Sequence, residues 1–238
     1  GEGKTVRIAV DPVQELFPGA LHEEFDGVVV RSLVHDGHRE VELVVKRVLD
    51  IAGSTIGLIV LSPVMLVAAL LIRLLDGPPV LFRQTRVGLH GRPFTINKLR
   101  TMVPDAEERL DRVKHLNERS RVAFKARNDP RVTPLGGWLR KTSIDELPQL
   151  WNVLTGSMSL VGPRPPLPSE VDEYDIWHRR RLSMKPGITG LWQVQARHDA
   201  DFDRWVERDL AYIDGWSIWL DLKILAQTLP ALVVHGGR

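Results

Sequence analysis

Cysteine is absent from the 238 residues, which excludes disulfides, thiolate metal sites and a cysteine nucleophile. The eight histidines are scattered and never take His-Glu-x-x-His spacing, so zinc would have to rest on isolated histidines and carboxylates. Neither a glycine-rich phosphate loop nor a dinucleotide-binding fingerprint occurs. Charge of one sign is also lacking: the formal net charge is +2. Such mild basicity suits a surface that meets phosphates or lipid headgroups and is too weak to argue for nucleic acid. There is no internal repeat and no low-complexity tract. Long apolar runs are missing with one exception.

That exception runs from Ile51 to Ile72 without a charged residue, roughly 22 positions and roughly 33 Å if helical, enough to span a bilayer. Ser62-Pro63 stands near its middle and predicts a kink, because proline removes a backbone hydrogen bond and restricts the residue before it. A kinked single-pass helix and a re-entrant helix that enters and leaves on one face both satisfy this. Flanking charge favours the second. Lys46 and Arg47 precede the run, and Arg73, Arg83, Arg86, Arg92, Lys98 and Arg100 follow it, so both flanks qualify for the cytoplasmic side.

Residues 1–45 are expected to be a linker or the remnant of an upstream cytoplasmic domain, with short strands near Val6–Val10 and Gly27–Val30. Turns are expected at Asp11-Pro12 and Phe17-Pro18-Gly19. Residues 46–75 form the membrane helix and 76–238 the remaining domain. Within it, Val80-Leu81-Phe82 and Phe94-Thr95-Ile96 read as strands around a Gly88–Gly91 turn. The charge-rich stretch 104–121 reads as an exposed helix, Glu170–Met184 as a polar helix, Ile188–Val194 as a strand, and Trp205–Val234 as helical.

The densest chemistry lies in Arg140-Lys141-Thr142-Ser143-Ile144-Asp145-Glu146-Leu147-Pro148-Gln149-Leu150-Trp151. Leu147, Leu150, Trp151 and Leu154 recur at helical spacing. Ser143 and Glu146 match a capping box, whereas Pro148 argues for a start nearer Asp145. Either register sets Asp145 and Glu146 at a positive helix end. Acidic residues there are often mere helix-start signals. Downstream, Gly162-Pro163-Arg164-Pro165 fixes the backbone on both sides of one arginine, as a guanidinium held against phosphate or carboxylate requires. Lys98 and Arg100 are further phosphate-binding candidates.

Taken in chain order, Lys46-Arg47, Ser62-Pro63, Phe82–Gly88, Lys98–Met102, Asp129-Pro130-Arg131, Arg140–Trp151, Leu160–Pro165, Pro186–Val194 and Leu220–Leu225 resemble the bacterial sugar transferases. More narrowly, they look like the monotopic polyprenyl-phosphate phosphoglycosyl transferases. The resemblance covers about residues 46–229. It implies a mostly helical α+β fold, with a re-entrant membrane helix, a cytoplasmic catalytic domain, amphipathic interfacial helices and a few short strands. It also implies a two-step reaction at the cytoplasmic face of the bacterial inner membrane. Asp145 would attack the sugar-linked phosphorus of a UDP-sugar and release UMP. Undecaprenyl phosphate, a polyprenyl phosphate, would then take the phosphosugar. Glu146 would help to hold Mg²⁺, and Arg140 and Arg164, with Lys98 and Arg100, would meet phosphates. A homodimer is compatible with the resemblance. Ser157 departs from the aspartate of many relatives, so no catalytic role is assigned to it, and Gln195-Ala196-Arg197 also departs. No motif maps to a hexose readout. The competing readings are a non-catalytic, membrane-anchored lipid-binding module and a metal-dependent phosphodiesterase that uses water.

Overall fold

The computed structural model describes residues 7–9, 21–25, 28–32, 39–110, 129–195 and 202–235. The chain divides into two compact units, Gly1–Lys46 and Arg47–Arg238. In the first, β1 (Arg7–Ala9), β2 (Leu21–Phe25) and β3 (Val28–Ser32) form an antiparallel sheet of order β1-β3-β2. Pattern reading finds β1 and β3 and misses β2, whose Leu-His-Glu-Glu-Phe carries two adjacent glutamates, a residue depleted in strands. The turns expected at Asp11-Pro12 and Phe17-Pro18-Gly19 lie outside the described residues.

The apolar run folds as α1 (Arg39–Leu71), extended by a π turn over Ile72–Asp76 that stops at Gly77 with φ 74°. Pro63 does not interrupt it. A proline there has no N–H to reach the carbonyl of Ile59, and Ser62 Oγ donates to that oxygen instead (2.8 Å). Among the described residues this is the one helix long and apolar enough to cross a membrane. Its large side chains are bare, with Ile59 68% and Leu66 70% exposed. A contiguous apolar surface of this kind is rare on proteins bathed by water alone.

After α1, β4 (Leu81–Val87) and β5 (Pro93–Leu99) form the expected hairpin, in register from Leu81↔Leu99 to Val87↔Pro93. At its tip His90 and Gly91 take φ 57° and 76°. Residues 104–109 are a turn rather than a helix, and most of the stretch expected to be helical lies outside the described residues. Thr133 then caps α2 (Pro134–Thr142) by accepting the Gly136 N–H (2.9 Å). A 3₁₀ turn over Ile144–Glu146 leads into α3 (Gln149–Thr155). The capping box expected at Ser143 does not form. Ser143 is left-handed (φ 55°), makes no side-chain cap, and the helix begins only after Pro148.

Two short strands, β6 (Ser159–Val161) and β7 (Gly187–Thr189), pair in parallel. The polar helix expected over Glu170–Met184 is replaced by α4 (Pro168–Asp172) and a 3₁₀ turn over His178–Ser183. His178 Nδ1 accepts the Asp175 N–H (3.1 Å), so a side chain takes a donor that a continuing helix would use. The strand expected over Ile188–Val194 is also cut short. It stops at Thr189, and α5 (Leu191–Gln195) follows Gly190, whose missing side chain lets it sit against the Gly162 carbonyl. The C-terminal region is helical as expected, in α6 (Phe202–Asp214) and α7 (Ile218–His235). Tyr212, Trp216 and Ile224 build a core there with Val161, while Trp219 is exposed.

The two ends of the apolar run grip different parts of the second unit. Near its start, Arg47 donates to the carbonyls of Val153 (2.7 Å) and Leu154 (2.8 Å), closing the C-terminus of α3. Asp50 Oδ1 accepts from Ser159 Oγ (3.0 Å) and the Leu160 N–H (2.9 Å). Near its end, Ala68 and Ile72 are buried with Leu99 and Leu139, and Asp76 Oδ2 accepts from Thr133 Oγ1 (2.8 Å). The Ile144–Glu146 turn therefore lies between two helices, α2 and α3, that opposite ends of the same run hold.

Candidate active site

Six of the residues singled out from sequence line one cleft of about 770 Å³: Lys98, Arg100, Arg140, Asp145, Glu146 and Arg164. They arrive from four places in the chain. The last residues of β5 and its exit bring Lys98 and Arg100, the last turn of α2 brings Arg140, the 3₁₀ turn brings both carboxylates, and the loop after β6 brings Arg164. Ser62 and Pro63 are not among the cleft residues. Pro63 lines a separate apolar groove with Val64, Val67, Ala68, Leu71, Trp138 and Ile144. Ile144 thus faces the groove while its neighbour Asp145 faces the cleft.

Asp145 is buried, 7% exposed. Burial, and then the adjacent Glu146, push its carboxyl up to about 7, against the opposing pull of Lys98 and Arg140. Desolvation thus outweighs the cations beside it. Glu146 is held by Lys98, Nζ to Oε1 at 2.7 Å. Arg140 Nε donates to Thr101 Oγ1 (2.8 Å), and burial pulls the pKa of its guanidinium down despite the carboxylates beside it. Gly136, one turn earlier on the same face, lies so near the Thr101 backbone that a Cβ would collide with it. That closeness is what brings Thr101 within reach of Arg140.

Arg100 serves a partly structural purpose. Its Nη2 donates to the carbonyls of Asp76 (2.8 Å) and Gly77 (2.6 Å), tying the end of the apolar run to the cleft wall. Arg164 is anchored by Glu170, with Nη1 at 3.2 and 3.1 Å from its two carboxylate oxygens. Sequence reading passes over Glu170, Thr101 and Arg86 as site residues. Arg86 donates to Gln84 Oε1 (2.7 Å) and the Pro165 carbonyl (3.1 Å), and burial followed by the charge of Arg164 holds it down to about 10. A signal for it existed: Phe82, Gln84 and Arg86 alternate along β4 and share its half-buried face. Ser157 closes α3 by donating to the Asn152 carbonyl (3.1 Å), outside the cleft lining. Gln195 ends α5, and Ala196 and Arg197 lie outside the described residues.

Among the described residues no group of three or more histidine and acidic side chains converges. The acidic pair alone cannot complete an octahedral Mg²⁺ site, yet Mg²⁺ commonly takes one or two carboxylates and completes its shell with phosphate oxygens and water. Asp145 and Glu146 beside a cationic cleft are compatible in donor type with such a substrate-completed site, and Glu146 is the more exposed of the two.

The bacterial sugar transferase family model matches residues 41–235. The chain is 45% identical over 217 residues to the galactosyl transferase CpsE of Streptococcus agalactiae serotype III, covering 90% of this chain and 48% of that protein. It is 42% identical over 196 residues to the undecaprenyl-phosphate galactose phosphotransferase of Salmonella typhimurium, covering 81% and 41%. With the exopolysaccharide production protein ExoY of Rhizobium meliloti it shares 39% over 196 residues, covering 81% and 87%. The chain therefore spans about half the length of some relatives and most of the length of others. A match over 41–235 takes in the apolar run, the cleft and the C-terminal helices together, and on that ground the chain belongs to the bacterial sugar transferase family.

Proposed function

We propose that the chain transfers a sugar 1-phosphate from a UDP-sugar to a polyprenyl phosphate, undecaprenyl phosphate in bacteria, and so begins assembly of a polysaccharide or glycoconjugate. The observation that carries this is the setting of Asp145: a buried carboxylate beside Lys98 and Arg140, in a cleft also lined by Arg100 and Arg164, one residue from an apolar groove. The relative in Salmonella carries undecaprenyl phosphate and galactose in its name, which agrees in class.

In the first half, an Asp145 carboxylate oxygen forms a bond to the sugar-linked phosphorus. The P–O bond to UMP breaks, and UMP leaves with that electron pair. In the second half, a phosphate oxygen of the polyprenyl phosphate attacks the same phosphorus and the carboxylate leaves, regenerating Asp145. Arg140 and Arg164 offset phosphate charge as the anions approach. When bound at Glu146, Mg²⁺ would supply charge neutralisation at the diphosphate. Burial keeps water from competing for the phosphorus.

We read the apolar run as re-entrant, with the catalytic unit at the cytoplasmic face. Arg47 and Asp50 before the run, and Ile72 and Asp76 at its end, all contact the same unit. A run that crossed the bilayer would have to part from that unit at one end.

Intact-protein mass spectrometry tests the chemistry. Protein held in nanodiscs is incubated with Mg²⁺ and a panel of UDP-sugars. A gain of one sugar phosphate is expected, discharged by polyprenyl phosphate and absent from Asp145→Asn. Lipid binding without any adduct or UMP release would leave a non-catalytic module instead.

A further inference from the structure

Arg164 sits on a loop that the fold clamps at every residue around it. The Gly162 N–H donates to Thr189 O (2.9 Å), Pro163 O accepts from the Gly187 N–H (2.9 Å), and Pro166 O accepts from the Val87 N–H (2.9 Å). Pro165 O accepts from Arg86, and Arg164 O from Arg181 Nη2 at 3.4 Å. Arg181 and its partner Asp209 are themselves buried, 2.8 Å apart through Nε and Oδ2. This fixes the backbone of Arg164 but leaves its long side chain to be aimed.

Glu170 meets that need. It is 4% exposed, yet it lines the same cationic cleft. A buried carboxylate in an anion-binding cleft opposes ligand charge, so its presence calls for a compensating role. Its own position is set, because Oε2 accepts the Leu167 N–H (2.9 Å) at the start of α4. Both oxygens then receive Nη1 of Arg164. Among the described residues Nη1 is the only guanidinium nitrogen of Arg164 with a protein partner, which leaves Nε and Nη2 for a ligand. Those two form the edge that meets a phosphate in a fork-to-fork pair.

We propose that Glu170 is a positioning residue: it holds Arg164 by one nitrogen so that the Nε–Nη2 edge faces a phosphate in the cleft. This rests on the phosphate chemistry proposed above. The phosphate could belong to the nucleotide or to the lipid, and separate ligands distinguish them.

The test is a double-mutant cycle of Glu170→Asp and Arg164→Ala, read on binding of UMP and of farnesyl phosphate to detergent-held full chain. Glu170→Asp keeps the charge and withdraws the carboxylate by one methylene, so any loss reports geometry rather than field. Weakening of roughly tenfold is expected for one ligand, with less than about twofold further loss in the Arg164→Ala background. The ligand that responds identifies the phosphate. Equal losses in both backgrounds, accompanied by a lower melting temperature, would mean that Glu170 only supports the fold and would overturn the proposal. No loss for either ligand, or no binding of either by the wild type, would overturn it too. Binding needs no turnover, so a wild type that binds UMP but never releases it from a UDP-sugar fails the transferase reading while leaving this cycle readable.

Discussion

Asp145 carries a conflict that its neighbours tune. A nucleophilic carboxylate acts in its charged form, yet burial and Glu146 place its titration near 7. Adduct formation is therefore expected to rise with pH through about 7 and level off above it. Lys98 pulls that value down, so Lys98→Met is expected to move the profile to higher pH. Single-turnover UMP release across pH measures both, and coincident profiles for wild type and variant would discard the electrostatic role of Lys98. The same conflict has a cost in stability. The folded value lies above the 3.8 of a free carboxyl, so the folded chain holds this proton more tightly than the unfolded one. Stability from Asp145 is then greatest at low pH, falls as pH rises from about 4 to about 7, and stays reduced above. Asp145→Asn avoids the penalty. It is expected to melt several degrees above the wild type at pH 8, with the gap closing toward pH 4, while losing all adduct formation. The acidic pair and the two arginines were legible because charges at special turns are conspicuous in a string of letters. Glu170 and Thr101 were not, since what distinguishes them is which distant residue they meet, and Arg86 shows only in the alternation of β4.

At the scale of elements, the sequence is clearest where a local rule decides. The β4–β5 hairpin follows from two apolar stretches around a glycine turn. It is least clear where a long-range contact decides: the stretch 170–184 has helical periodicity, but His178 captures a backbone donor and divides it. Ser62-Pro63 is an intermediate case. The helix runs on through Pro63, and Ser62 Oγ takes the Ile59 carbonyl that the proline cannot reach. Close approach of elements is similarly hidden from pattern reading. Gly136 sits within an ordinary helix, yet a Cβ there would strike the carbonyl and Cα of Thr101. Gly136→Ala is expected to push α2 away from β5, at a cost of about 1–3 kcal/mol, and to shift Arg140 off Thr101. Melting temperature and UMP release should both fall. A variant that melts and turns over like the wild type would show that α2 slides without moving the arginine.

For the whole molecule, the question is how an exposed apolar helix and a polar cleft share one body. Composition announced the helix, and the cations on both flanks favoured a re-entrant course over a crossing one. The architecture adds an independent argument. Arg47 and Asp50 on one side of the run, and Ile72 and Asp76 on the other, are bound to the same unit, and the Asp145 turn is suspended between the helices they hold. Threading the run across a bilayer would tear one of these sets away and, with it, the spacing of α2 and α3. Cysteine can be introduced singly without background, because the 238 residues contain none. Single cysteines at the exposed positions Arg83 and Glu207 are expected to react with a membrane-impermeant maleimide only after the cytoplasmic side is opened, as is one at Val41. Labelling at Arg83 or Glu207 from the periplasmic side of intact cells would show a crossing helix. A lipid phosphate delivered to the cytoplasmic leaflet would then need another route to Asp145.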